Sequence, residues 1–63
     1  MSNEVRKEIL NRIKEIMVLL KKTDYKAIKY AEGELSASEY EETLIQRRAW
    51  RAEIRELEAK LSQ

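Results

Sequence analysis

The chain has one glycine, Gly33, and no proline among its 63 residues. These two residue types are the usual helix breakers, glycine through its backbone entropy and proline through its missing N–H and its ring. A composition heavy in Ala, Glu, Lys, Leu and Arg adds to this and points to an all-α protein. At this length one domain, residues 1–63, is the limit.

The segment after Gly33 carries the clearest helix signal. Ser36, Ala37, Ser38 and Glu39 spell S-x-x-E, a capping box. Leu35 and Tyr40 stand where a hydrophobic staple would form, and Glu41 and Glu42 put negative charge near the positive end of the helix dipole. The helix is expected over about 37–61, roughly 37 Å long at about 1.5 Å per residue. Tyr40, Thr43, Arg47, Trp50, Ile54, Leu57 and Leu61 recur at alternating gaps of three and four, with Leu44 beside them. Such a seam packs on another helix at a shallow angle. Arg47 interrupts its apolar character. The first reading is a stem packed in the seam with its head finding a carboxylate; the second is a residue that sets register or partner choice.

The N-terminal segment predicts a matching helix over about 3–22, capped by Ser2 or Asn3 with Glu4 in its first turn. Val5, Ile9, Leu10, Ile13, Ile16, Met17 and Leu20 fall on one face, and Met17 reads as core filler. Val18 points the other way and Leu19 lies at the edge of the stripe. On the polar side, Glu8 and Arg12 have the spacing of an i,i+4 ion pair.

Thr23 and Asp24 are good N-cap residues, so the chain is expected to break after Lys22 and to form a short helix over about 24–32. Tyr25 and Ile28, with Ala31 or Glu32, would line its inner side, and Tyr30 would sit at an edge. Gly33 then takes the left-handed position that ends a helix. Tyr25, Tyr30 and Tyr40 bracket this connector and are expected to cluster. Ser62 and Gln63 are expected to fray.

Composition removes several chemistries. Cysteine and histidine are absent, which takes away thiol nucleophiles, disulfides, the common zinc-ligand sets and imidazole acid–base catalysis. Glu39 and Glu42 share a face, but on an exposed first turn. No metal, cofactor or catalytic residue is assigned, and an enzyme is not expected. The charged N-terminus lacks a signal-peptide core, and the apolar run Ile16–Leu20 is too short to span a bilayer. Charged residues make up 40% of the chain yet sum to +1, which describes a solvated, ion-paired surface more than a nucleic-acid binder. A core this small, with no disulfide or metal, makes a homo-oligomer or another protein partner the expectation.

One cluster stands out chemically. Arg48, Arg51 and Arg55 share a helix face beside Trp50. Such a stripe can hold phosphate or stack a base. Glu53, Glu56 and Glu58 are interleaved with it, and Glu32 or Glu34 lie in the connector, so ion pairing within or between chains is the leading reading. Docking of a protein partner follows, and a nucleotide or nucleic acid comes last. The interaction residues taken from the segment are Tyr40, Leu44, Arg47, Arg48, Trp50, Arg51, Ile54, Arg55 and Leu57.

Thr23-Asp24-Tyr25-Lys26, then Lys29-Tyr30-Ala31-Glu32-Gly33, Leu35-Ser36, Tyr40, Arg47, Trp50-Arg51, Ile54 and Leu57-Glu58 form a pattern over about residues 19–59. It resembles a short helical module of small proteins, and of C-terminal segments of larger ones, from the tail-gene regions of phages and prophages of Gram-positive bacteria. The resemblance implies a tail structural or tail-assembly accessory protein, located in the virion or the host cytoplasm. It brings no catalytic residue set. The alternative in the same setting is an anti-defence protein that occupies a host protein or sequesters a nucleotide signal through the arginine face. The expected fold is an antiparallel helical hairpin of two long helices with a short connecting helix, assembling into a helix bundle.

Overall fold

A computed structural model describes residues 2–62. Two helices account for nearly all of them: α1, Asn3–Ala31, and α2, Ala37–Leu61. They lie antiparallel against each other in a rod of 46 × 15 × 14 Å. The all-helical class and the pairing of two long helices agree with the sequence.

Both helix starts are built as their sequences suggest. The Ser2 hydroxyl accepts from the Val5 N–H at 3.2 Å. At α2 both halves of the capping box form: Glu39 N–H donates to Ser36 Oγ at 3.2 Å, and Ser36 N–H donates to Glu39 Oε1 at 3.0 Å. The end of α1 is a full Schellman turn. Glu34 N–H reaches back to the Lys29 carbonyl at 2.8 Å, Gly33 N–H to that of Tyr30 at 3.1 Å, and Gly33 sits at φ +80°. That turn satisfies carbonyls that a helix end otherwise leaves open, and it reverses the chain within residues 32–36.

The separate short helix expected over 24–32 is absent, because α1 runs unbroken through Thr23 and Asp24. The Thr23 hydroxyl bonds backwards, to the carbonyls of Leu19 at 3.1 Å and Leu20 at 3.0 Å, and caps nothing. Continuity also fixes which residues face inward. The inner column steps by sevens from Ile9 through Ile16 to Thr23, and the next in the series, Tyr30, is 43% exposed at the edge. Tyr25 and Ile28, off this phase, are exposed, and so are Ala31 and Glu32. Tyr30 stacks on Tyr40 with ring centroids 4.7 Å apart. Tyr25 takes no part in that stack.

The core runs along the contact between the helices. Ile16 is fully buried, Ile9 and Tyr40 nearly so, with Thr43 and Arg47 among them. Ile13, Leu19, Leu20, Trp50, Ile54, Leu57 and Leu61 are half-buried around it. Val5, Leu10 and Met17, expected on the buried face, are exposed instead, Met17 at 57%. One partner helix covers only a narrow stripe of another, and these three lie outside it. At the C-terminus Ser62 is an ordered cap, its N–H donating to the carbonyls of Glu58 and Ala59. Gln63 lies outside the described residues.

Candidate interaction surface

Arg47 belongs to the hairpin's interior. It is 5% exposed, and its guanidinium faces α1. Nη1 donates to the Leu20 carbonyl at 2.7 Å and to Thr23 Oγ1 at 2.6 Å, while Nη2 donates to Asp24 Oδ1 at 2.9 Å. The planar fork of arginine suits three acceptors offered by one helical turn; lysine could not span them. The stem fills the seam and the head finds a carboxylate, the first of the two sequence readings.

A second cross-link ties the other end of the rod. Arg12 Nε donates to Glu53 Oε2 at 2.7 Å and Nη2 to Glu53 Oε1 at 3.1 Å, a two-pronged pair. Arg12 also meets Glu15 at 3.2 Å. The expected Glu8–Arg12 pair does not form, because Arg12 turns across to α2. The hydrogen bond from Arg12 holds the Glu53 carboxyl below its usual range, with the nearby positive charge adding to it. The Arg12 guanidinium is correspondingly raised, mainly by that same bond. Glu39 is lowered by the backbone N–H of Ser36 and then by its side chain.

The nine expected interaction residues therefore separate. Tyr40 and Arg47 are internal. Leu44, Trp50, Ile54 and Leu57 are half-buried against α1, with one flank open. Arg48, Arg51 and Arg55 are exposed, and among the described residues none makes an ion pair. Neither Glu56 and Glu58 on the same helix nor Glu32 and Glu34 in the connector reach them, and Glu53 is committed to Arg12. Among the described residues this row therefore has no intrachain ion pair.

Sequence reasoning missed the Arg12–Glu53 link and the exposed apolar row on α1. Arg12 stands seven residues before the inward-leaning Leu19, so heptad phase was the available signal for the first. Leu10 and Met17, also seven apart, marked the second. A shallow depression near the connector is lined by Tyr30, Tyr40 and Leu44, with Ala37, Ser38 and Glu41 at its rim. Among the described residues no cluster of three metal-ligand side chains occurs, and no helix is long and apolar enough to cross a membrane. No family model, curated protein or solved structure matches the chain.

Proposed function

We propose that this protein is a non-enzymatic interaction module that works by helix packing and self-associates into a helix bundle. The observation that carries the reading is the apolar surface left over on α1. Leu10, Met17 and Ile28 stand exposed, Ile28 at 57%. The accessible surface is 5050 Å², whereas compact monomers of 7.5 kDa expose about 4,200 Å². The excess goes with the rod's elongated shape, which leaves the α1 row of Leu10, Met17 and Ile28 open. A rod of two helices has no third layer to cover that surface, and another hairpin supplies one.

The resemblance of the Thr23–Glu58 pattern to phage and prophage tail-region proteins supports a setting in tail structure or tail assembly, in the virion or the host cytoplasm. Static light scattering over a range of concentrations tests the assembly. A mass that is a multiple of 7.5 kDa is expected; a monomer at every concentration overturns it. Trp50→Ala with Ile54→Ala should lower both Tm and oligomer mass.

A second reading has one observation in its favour, the three arginines without carboxylate partners. They support anion or host-protein capture by an anti-defence protein. Replacing Arg48, Arg51 and Arg55 by Gln and titrating with cyclic and linear nucleotides decides it: binding by the wild type that the variant loses, with the fold intact, favours this reading.

A further inference from the structure

α1 carries two heptad seams, and α2 covers the first of them, along the column of Ile9, Ile16 and Thr23. The second lies one residue further on. Leu10, Ile13, Met17 and Leu20 repeat at gaps of three and four, turned about a quarter of the way round the helix from the first. Ile13 and Leu20 are half-buried beside the groove between the helices, and Leu10 and Met17 stand above it, 40% and 57% exposed. Asp24, next in the column of Leu10 and Met17, is held by Arg47.

Basic residues flank this second seam on both sides. Lys14 and Lys21, four residues after Leu10 and Met17, border it on the outer side of α1. On α2, the Arg47–Asp24 bond marks the side that faces the seam, and Arg48, Arg51 and Arg55 lie on that side. The contacts of Arg12 with Glu53 and of Thr23 with Arg47 put the arginine row level with Leu10 and Met17. These lysines and arginines are exposed, and none has an ion-pair partner among the described residues. Glu41, in the column of Arg48 and Arg55, lies towards the connector, and Glu58 lies one turn beyond Arg55. Between them the carboxylate on this face is Asp24, which Arg47 neutralises.

We propose that this face takes an acidic amphipathic helix, and that such a helix displaces a second copy of the chain from it. The competition rests on the self-association proposed above; the chemistry of the partner rests on the face itself. A narrow seam at heptad spacing beside a groove fits a third helix, since a flat bilayer would meet Leu10 and Met17 but not the half-buried Ile13 and Leu20. Carboxylates on both flanks of that helix would face Lys14 and Lys21 on one side and the arginines on the other, where the arginine fork pairs most strongly. A twofold contact between copies through this face sets the patch against itself. Both flanks being basic, it brings basic flank to basic flank whichever helices pair, and like charges set opposite each other oppose the contact.

Two synthetic heptad peptides with Leu at a and d test the proposal, one with Glu at e and g and the other with Lys. Calorimetric titration into the full chain reads binding, and light scattering reads the mass. The Glu peptide is expected to bind and to turn the oligomer into a complex of one chain with one peptide, while the Lys peptide does not bind. Replacing Arg48, Arg51 and Arg55 by Gln, with helicity checked by circular dichroism, should weaken the Glu peptide about tenfold. Equal binding of the two peptides, binding of neither, or a Glu peptide that leaves the number of copies in the oligomer unchanged overturns the proposal and leaves self-association standing. Binding to phosphatidylglycerol vesicles without binding of the Glu peptide overturns it in favour of an anionic lipid surface. A chain that is monomeric throughout yet binds the Glu peptide removes self-association and keeps the acidic partner.

Discussion

Arg47 and Thr23 share one hydrogen bond across the helix pair, Nη1 to Oγ1 at 2.6 Å, while the same hydroxyl donates to carbonyls of its own helix. One threonine is thereby acceptor to α2 and donor within α1. This two-sided role explains why a strong helix-cap residue sits in a helix interior.

Arg47→Ala should lower stability by about 2 kcal/mol, through lost charge-assisted hydrogen bonds and a lost packed stem. Thr23→Val should cost about 1–2 kcal/mol, since it keeps the shape and removes the hydroxyl. Asp24→Asn should cost under about 1 kcal/mol, because that carboxylate is more than half exposed and screened by water. Urea denaturation gives the order; a larger loss from Asp24→Asn than from Thr23→Val would contradict it.

Gly33→Ala should destabilise by about 1–2 kcal/mol, purely through the left-handed backbone. A methyl at Gly33 meets nothing within 4 Å, so sterics with neighbours add nothing. Gly33→Asn should recover part of the loss, as asparagine tolerates that conformation better. Thermal melts of the two variants compare them directly. Equal Tm values for wild type and Gly33→Ala would argue against the turn.

Acid should weaken the fold through Glu39 and Glu53. Both carboxyls are held below their ordinary range, so the folded state binds protons less readily than the unfolded chain. Their stabilisation is fully present above the unfolded carboxylate pKa of about 4.3. It disappears as pH falls through the lowered folded values. Arg12 stays charged throughout this window. Tm recorded from neutral pH downward should fall below about pH 4. The double variant Glu39→Gln with Glu53→Gln should show a shallower acid fall than the wild type.

Met17→Lys separates folding from assembly. Met17 is exposed on the hairpin, and an exposed change usually alters stability within about 0.5 kcal/mol. On an apolar contact between copies, however, a lysine introduces a charge that must be desolvated. Helical content should persist while the oligomer mass falls. An unchanged mass would remove Met17 from the contact.

Local signals in the sequence carried the capping box at Ser36, the turn at Gly33 and the seam through Trp50, because each depends on residues within a few positions of one another. Thr23 and Asp24 were ambiguous for a physical reason. Their side chains cap helices, but they also bond back to the preceding turn, and Arg47, 24 residues after Thr23, ties them into the pairing with α2. The width of the α1 stripe was equally legible, whereas its coverage was not. An apolar residue such as Leu10 reads the same whether its covering helix lies in the same chain or elsewhere. The arginine row was visible as a row, but not that Glu53 would be claimed by Arg12 from the other helix.

The Gly33 turn also sets an order of events. The pairs between the helices are graded by the length of chain they enclose: Tyr30 and Tyr40 lie close around the turn, Arg47 and Thr23 are 24 residues apart, and Arg12 and Glu53 are 41 apart. Loop closure costs grow as the logarithm of that length, so the outermost pair costs about 1 kcal/mol more to bring together from an open chain than the tyrosines do. On loop-closure cost alone, pairing is cheapest from the stacked rings outward, which leaves the Arg12–Glu53 pair as the outermost clasp.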